Sequence, residues 1–311
     1  MVTEAMERIR PTIRQTILDP STYYSQRTGA DVYFKCENLQ HTGSFKVRGA
    51  LNKVLSLSAK ERTQGIVTAS TGNHGSACAF AMRKVGASGI VFVTETAVET
   101  KLAAIRRQGA EIRTFGADSV ETEEYARIFA ATQDMTYVSP YNDPLVVAGQ
   151  GTIAVELLQQ LPELDAVFVS VGGGGLIGGI GSYLKSVRHA VQVFGCSPEN
   201  SQVMAKSVQA GKLLDLPSLP TLSDGTAGGV EAGSITYPLC RDHVDQYVSV
   251  TEEEIAGSLR DFIGAQHMLI EGSAAVSIAA FLKIASQLKD SRVAILLCGA
   301  NISLEILKGI L

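Results

Sequence analysis

One lysine stands apart from the other cations of this chain. Lys46 lies in Thr42-Gly43-Ser44-Phe45-Lys46-Val47-Arg48-Gly49-Ala50, among small residues and directly after an aromatic ring. An amine that attacks a carbonyl carbon must be unprotonated, and partial burial lowers a lysine pKa towards that state. Phe45 could pack beside a flat ring. Taken alone, the segment also suits an ordinary surface lysine. A second group is Ser70-Thr71-Gly72-Asn73-His74-Gly75. It follows a β-branched run and precedes a helical pattern, so free amides and the positive end of a helix dipole would face an anion there, a carboxylate or a phosphate. The plainer reading is a helix capped by Asn73, with His74 a structural hydrogen-bonder. A third is the tetraglycine Gly172-Gly173-Gly174-Gly175. Consecutive glycines let successive N–H groups turn towards one ligand, which is the construction of a phosphate cradle. No Lys-Ser/Thr follows, so it is not a P-loop of the Walker type. The acidic residue of a dinucleotide fingerprint is also missing, because the next strand ends Phe194-Gly195-Cys196. A tight packing turn is the alternative. Two smaller signals are Cys298, at the end of an apolar run, and Glu271, which opens an Ala-rich helix and could simply cap it.

The elements that would position these residues alternate. Strands are predicted over residues 66–68, 90–93, 112–115, 167–171, 191–194, 247–250 and 293–297. Helical patterns fall over 74–85, 99–108, 122–132, 145–160 and 254–266, the last with Thr251 and Glu254 spaced as a capping box. Such alternation predicts an α/β fold with mainly parallel sheets covered by helices on both faces. Residues 214–226, with Pro217 and Pro220, read as a loop.

Composition narrows the classes of function. The net charge is −4 with both signs dispersed, so no basic stripe points to nucleic acid or an anionic membrane. The five cysteines are odd in number and form no CxxC pair, which disfavours a disulfide framework or zinc site and fits a cytoplasmic protein; no metal site is expected. The uncharged stretch 166–184 approaches the length of a membrane span, but its glycines make it a poor one. A small-molecule substrate is expected.

Taken in order, Lys35-Cys36-Glu37-Asn38, the segment 42–50, Ser70–Gly75, Ala148-Gly149-Gln150-Gly151-Thr152, the tetraglycine and Cys298-Gly299-Ala300-Asn301-Ile302-Ser303 resemble the serine/threonine dehydratase branch of the fold-type II pyridoxal-phosphate (PLP) enzymes, from about Asp31 to Ile306. The resemblance implies two open, twisted, mainly parallel sheets: a large PLP-binding domain of residues 1–64 and 143–311, and a small mobile domain of residues 65–142. It implies that Lys46 carries the cofactor as a Schiff base and that Phe45 stacks on its ring. Asn73 would bond the ring's phenolic oxygen, Gly172, Gly173, Gly174 and Gly175 the phosphate, while Cys298 would face the pyridine nitrogen. Gly225 and Glu271 would lie near the ring edge, and Ser70, Thr71, Asn73 and His74 would take the substrate carboxylate. The activity implied is elimination of water from a small hydroxy-amino acid to a 2-oxo acid and ammonia, by a homodimer.

Serine racemases share these motifs, and Thr71 stands where they place a second acid/base. Their divalent-metal carboxylates have Ser197 and Val203 as counterparts here, which are not hard-oxygen carboxylate ligands. Cysteine-synthase-type β-replacement fits less well, because His74 stands where that group has threonine. Other 3-hydroxy-amino acids, such as hydroxyaspartate, phenylserine or a hydroxyectoine-derived compound, stay open as substrates, with residues 224–231 forming one wall. A non-catalytic, ligand-sensing relative is the alternative of another class. The chain stops soon after Asn301, so no appended regulatory domain and no inhibition by branched-chain amino acids are expected.

Overall fold

The computed structural model describes residues 1–97, 99–117 and 119–311. Among them ten strands form two sheets: β1 Leu18–Pro20, β2 Asp31–Lys35, β3 Ile66–Ala69, β4 Gly89–Val93, β5 Glu111–Thr114, β6 Thr136–Tyr137, β7 Ala166–Ser170, β8 Gln192–Pro198, β9 Gln246–Val250 and β10 Arg292–Leu296. The larger sheet runs β1-β2-β10-β7-β8-β9 and the smaller β5-β4-β3-β6. All pairings are parallel except β1 with β2. The expected α/β class and the parallel character of both sheets are therefore found. The seven predicted strands are present with their ends shifted by a few residues, and the capping box at Thr251 and Glu254 is formed.

The central strands β3, β4 and β7 form because their β-branched runs are covered on both faces. Every residue of β7 is buried, as expected of a central parallel strand. In the smaller sheet the side chains alternate. Ile66, Val91 and Val93 join a core with the helices Lys46–Ser56 and Asn73–Val85. Val67, Ala69, Ile90 and Phe92 join a second core with Ala126 and Ala130 of the helix Ser119–Thr132. β1, β2 and β6 were not predicted. β1 and β6 are only 3 and 2 residues long. β2 begins with Asp31 and ends with Lys35, and its buried lysine finds a partner only in the folded chain.

Candidate active site

Lys46 is the first residue of its helix, Lys46–Ser56. Its position is set from three sides. Phe45 N–H donates to the Cys298 carbonyl at 3.0 Å, tying the helix start to the end of β10. Gly49 meets the helix Pro144–Gln160 closely enough that a Cβ on Gly149 would lie 2.6 Å from its Cα, so both positions need glycine. The Gly49 N–H, one of the amides left free in a helix's first turn, donates to Gln150 Oε1 at 3.1 Å. Two residues after Lys46, Arg48 is wholly buried. Its guanidinium grips Glu37 through Nε and Nη2, both at 2.8 Å, and Glu156 at 2.7 and 2.9 Å. Lys35 completes this group with a 2.6 Å bond to Glu156.

The Lys46 amine enters a cleft of about 1150 Å³. Nζ donates to the Pro140 carbonyl at 3.0 Å and lies 5.4 Å from the Phe45 ring centroid. Burial pushes its pKa below the ordinary lysine value, while Glu123 and the other surrounding acids pull the opposite way. The cleft is also lined by Ser70, Thr71, Asn73, His74, the four glycines, Gly225, Glu271 and Cys298. All the residues singled out from the sequence therefore converge on one space.

The tetraglycine joins β7 to the helix Gly175–Val187. Gly174 caps that helix with φ 82°, where a side chain is strained. A Cβ on Gly173 would lie 2.5 Å from the Tyr141 ring. The turn is thus a tight packing turn, and among the described residues no hydrogen bond takes up the N–H groups of Gly172 to Gly175. A phosphate cradle is compatible with that packing, because it too needs backbone without side chains.

Asn73 and Glu271 correct the plainer readings. Gly72, not Asn73, is the cap of the helix Asn73–Val85, and Glu271 opens the helix Gly272–Ile284 without a side-chain cap bond. The two side chains meet instead, Asn73 Nδ2 donating to the Glu271 carboxylate at 3.0 and 3.1 Å. Glu271 also accepts from Asn301 N–H at 3.0 Å, and the Cys298 thiol donates to it at 3.8 Å. Burial raises the Glu271 pKa, with Asn73 opposing, and burial keeps the Cys298 thiol well above the ordinary range, so it is neutral near pH 7. A Cβ on Gly225 would touch Ser273 Oγ at 2.7 Å and Glu271 at 3.4 Å. Ser273 Oγ itself is buried without a partner.

The His74 ring is turned away from ligand chemistry. Its Nε2 meets the Val138 carbonyl at 3.1 Å and the Cys78 sulfur at 3.4 Å, and burial lowers its pKa to about 3, so it is neutral. What His74 offers an anion is its backbone amide in the first helical turn. Several lining residues drew no attention in the sequence. Asn301 sat inside a motif already noted, and it binds Asn73 Oδ1 as well as Glu271. Tyr141, Glu123 and Arg127 carried no spacing signal, being ordinary members of polar segments, whereas Glu231 ends the stretch 224–231 expected to form one wall.

A desolvated amine, a glycine cradle and a polar floor at the carboxyl ends of parallel strands define a cofactor-dependent α/β enzyme. The family model for pyridoxal-phosphate dependent enzymes matches residues 9–299. The L-threonine ammonia-lyase of Geobacter sulfurreducens is 38% identical over 307 residues, 98% of this chain and 76% of that protein. Maize serine racemase superposes with a TM-score of 0.93 at 30% identity, covering 99% of this chain and 94% of that one. The processed form of threonine deaminase isoform 2 from Solanum lycopersicum does so with 0.94 at 28% identity, covering 99% and 92%. The chain belongs to the pyridoxal-phosphate-dependent enzymes, and its cofactor is pyridoxal phosphate.

The residues present fit that group. The cradle admits no side chain at Gly173 or Gly174, Lys46 is desolvated, and an unpartnered Ser273 hydroxyl lies beside Gly225. Gly173→Ala should therefore push Tyr141 aside. We expect about 1–3 kcal/mol lower stability and a clear loss of affinity for pyridoxal phosphate, read by denaturant melts and by titrating the cofactor absorbance. Unchanged affinity would remove the cradle from the site.

Proposed function

We propose that this enzyme eliminates water from a small hydroxy-amino acid, L-threonine or L-serine, to give a 2-oxo acid and ammonia. One observation carries the reading: a desolvated lysine, a glycine cradle and a neutral thiol line the same cleft. Bound pyridoxal phosphate supplies an electron sink for the bond broken at Cα. The amides of Gly172 to Gly175 would hold its phosphate, Lys46 its aldehyde and Phe45 a ring face. Asn73 Nδ2 has a second hydrogen for its phenolic oxygen. The free amides at the start of the helix Asn73–Val85, with the Ser70 and Thr71 hydroxyls, would orient the substrate carboxylate and so present the Cα hydrogen to Lys46. Cys298 stays neutral, so it cannot hold a protonated ring nitrogen as an ionised carboxylate would. Glu271, to which the thiol donates, is itself pushed towards its neutral form by burial. That weakens the sink and favours prompt loss of the β-hydroxyl over long-lived carbanion chemistry.

In the same reading, residues 65–142, which contain the smaller sheet, close over the substrate and exclude water. Asn73 and Lys101 reach across to Glu271 and Asp224, the contacts such closure would use. We place the enzyme in the cytoplasm as a homodimer. Five free, buried cysteines support a reducing compartment. No helix among the described residues is long and apolar enough to cross a membrane. Racemisation is the second reading, favoured by Thr71 lining the cleft and by the likeness to maize serine racemase. A panel of hydroxy-amino acids assayed for 2-oxo acid release, with amino-acid chirality followed in parallel, tests both. Oxo-acid release from threonine or serine is expected. No release from any hydroxy-amino acid by the cofactor-loaded protein would overturn the proposal.

A further inference from the structure

Two of the carboxyl side chains lining the cleft that Lys46 enters, Glu123 and Glu231, differ sharply. Glu231 is fully engaged, accepting from Arg127 Nη2 and from Asn142 Nδ2, both at 2.8 Å, while its N–H donates to Tyr141 Oη at 3.0 Å. Glu123, in the first turns of the helix Ser119–Thr132, is half-buried in the same cleft, yet makes no hydrogen bond or ion pair among the described residues. No structural task accounts for it. A carboxyl that is withdrawn from water and left unpartnered beside an amine has the setting of a proton donor.

We infer that Glu123 is the acid that protonates the departing β-hydroxyl, an inference that rests on the dehydratase reading above. Lys46 removes the Cα proton, and the electrons of that bond become the Cα–Cβ π bond. The Cβ–O bond breaks with its pair on oxygen. That oxygen takes the Glu123 proton and leaves as water. The Lys46 ammonium, holding the proton from Cα, then reprotonates the Glu123 carboxylate, so no outside acid or base is consumed.

The charges around Glu123 support this assignment. Burial and the neighbouring Glu231 raise its pKa to about 7, against the pull of Lys46 and Arg127, so a large fraction is protonated near neutrality. Tyr137 and Tyr141, which also face it, have their own pKa values raised, chiefly by burial, and stay neutral. Glu123 lies on the helix that follows β5, within residues 65–142, so the closure proposed above would carry the acid to the substrate as water is excluded.

The test compares two leaving groups. Hydroxide needs a proton to depart, whereas chloride from β-chloroalanine does not. Glu123→Gln should lower kcat on threonine by about 100-fold or more and on β-chloroalanine by about threefold or less. Glu123→Asp, one methylene shorter but still an acid, should recover part of the threonine rate. In protein labelled with ¹³C at glutamate carboxyls, the resonance lost in Glu123→Gln should be one that titrates above the ordinary glutamate range, while that of Glu271, whose pKa is also raised by burial, stays. Equal losses on both substrates, no loss on either, no recovery in Glu123→Asp, or a lost resonance that titrates in the ordinary glutamate range would each overturn the inference. If the unaltered protein eliminates neither group, it is the dehydratase reading that fails.

Discussion

Lys46→Ala should abolish turnover of every hydroxy-amino acid, lowering kcat by about a thousandfold or more. The size follows from two losses at one atom, the amine that bonds the cofactor aldehyde and the base that takes the Cα proton. Nothing else described in the cleft replaces it. The His74 ring is held at the Val138 carbonyl, and Cys298 is a neutral thiol donating to Glu271. Fold stability should change little, because Lys46 is half-buried and its amine holds a single backbone carbonyl. The variant mixed with pyridoxal phosphate should also lack the absorbance at about 410–420 nm that marks the lysine-bound cofactor. Steady-state assays and one spectrum check both parts. Undiminished turnover would end the whole functional reading.

Arg48→Ala should cost about 3–5 kcal/mol of stability, the range for removing one partner from a buried ion group. Arg48, Glu37, Glu156 and Lys35 are all fully buried and balance two charges against two. Without the guanidinium, two carboxylates face one ammonium in a dry interior. Arg48→Lys should fail as well, since one ammonium cannot reproduce the bonds the guanidinium fork makes to two carboxylates on opposite sides. The pH dependence has a definite sign. Burial alone would raise the Glu37 pKa, but Arg48 and Lys35 bring it below the ordinary value. Its contribution is therefore full above the unfolded pKa and disappears as pH falls through the lower folded one. Because Arg48 lies two residues from Lys46 on one helix, the variant should lose activity along with fold. Denaturant melts across acid and neutral pH measure the effect, and a loss below about 1 kcal/mol, the worth of an exposed pair, would refute it.

The most legible parts of this protein were those governed by local rules. β7 and β10 announce themselves as β-branched runs because a strand buried on both faces needs apolar side chains throughout. The tetraglycine was visible because a run of residues without Cβ is rare enough to require a reason. The capping box at Thr251 and Glu254 closes within one turn of its own helix. β2 escaped because Lys35 looks like a surface residue until Glu156 is folded onto it.

By itself the sequence determined the α/β class, the order of the chemical motifs and the lysine on which the chemistry turns, since each depends on neighbours a few positions apart. Only the tertiary structure decided the partners. It took Asn73 and Glu271 from their alternative roles as caps and joined them across the cleft, turned His74 inward, and left Glu123 without a partner among the described residues in the cleft that Lys46 enters. The physical reason is that burial and pairing set what a titratable group does, and both are made by segments far apart along the chain.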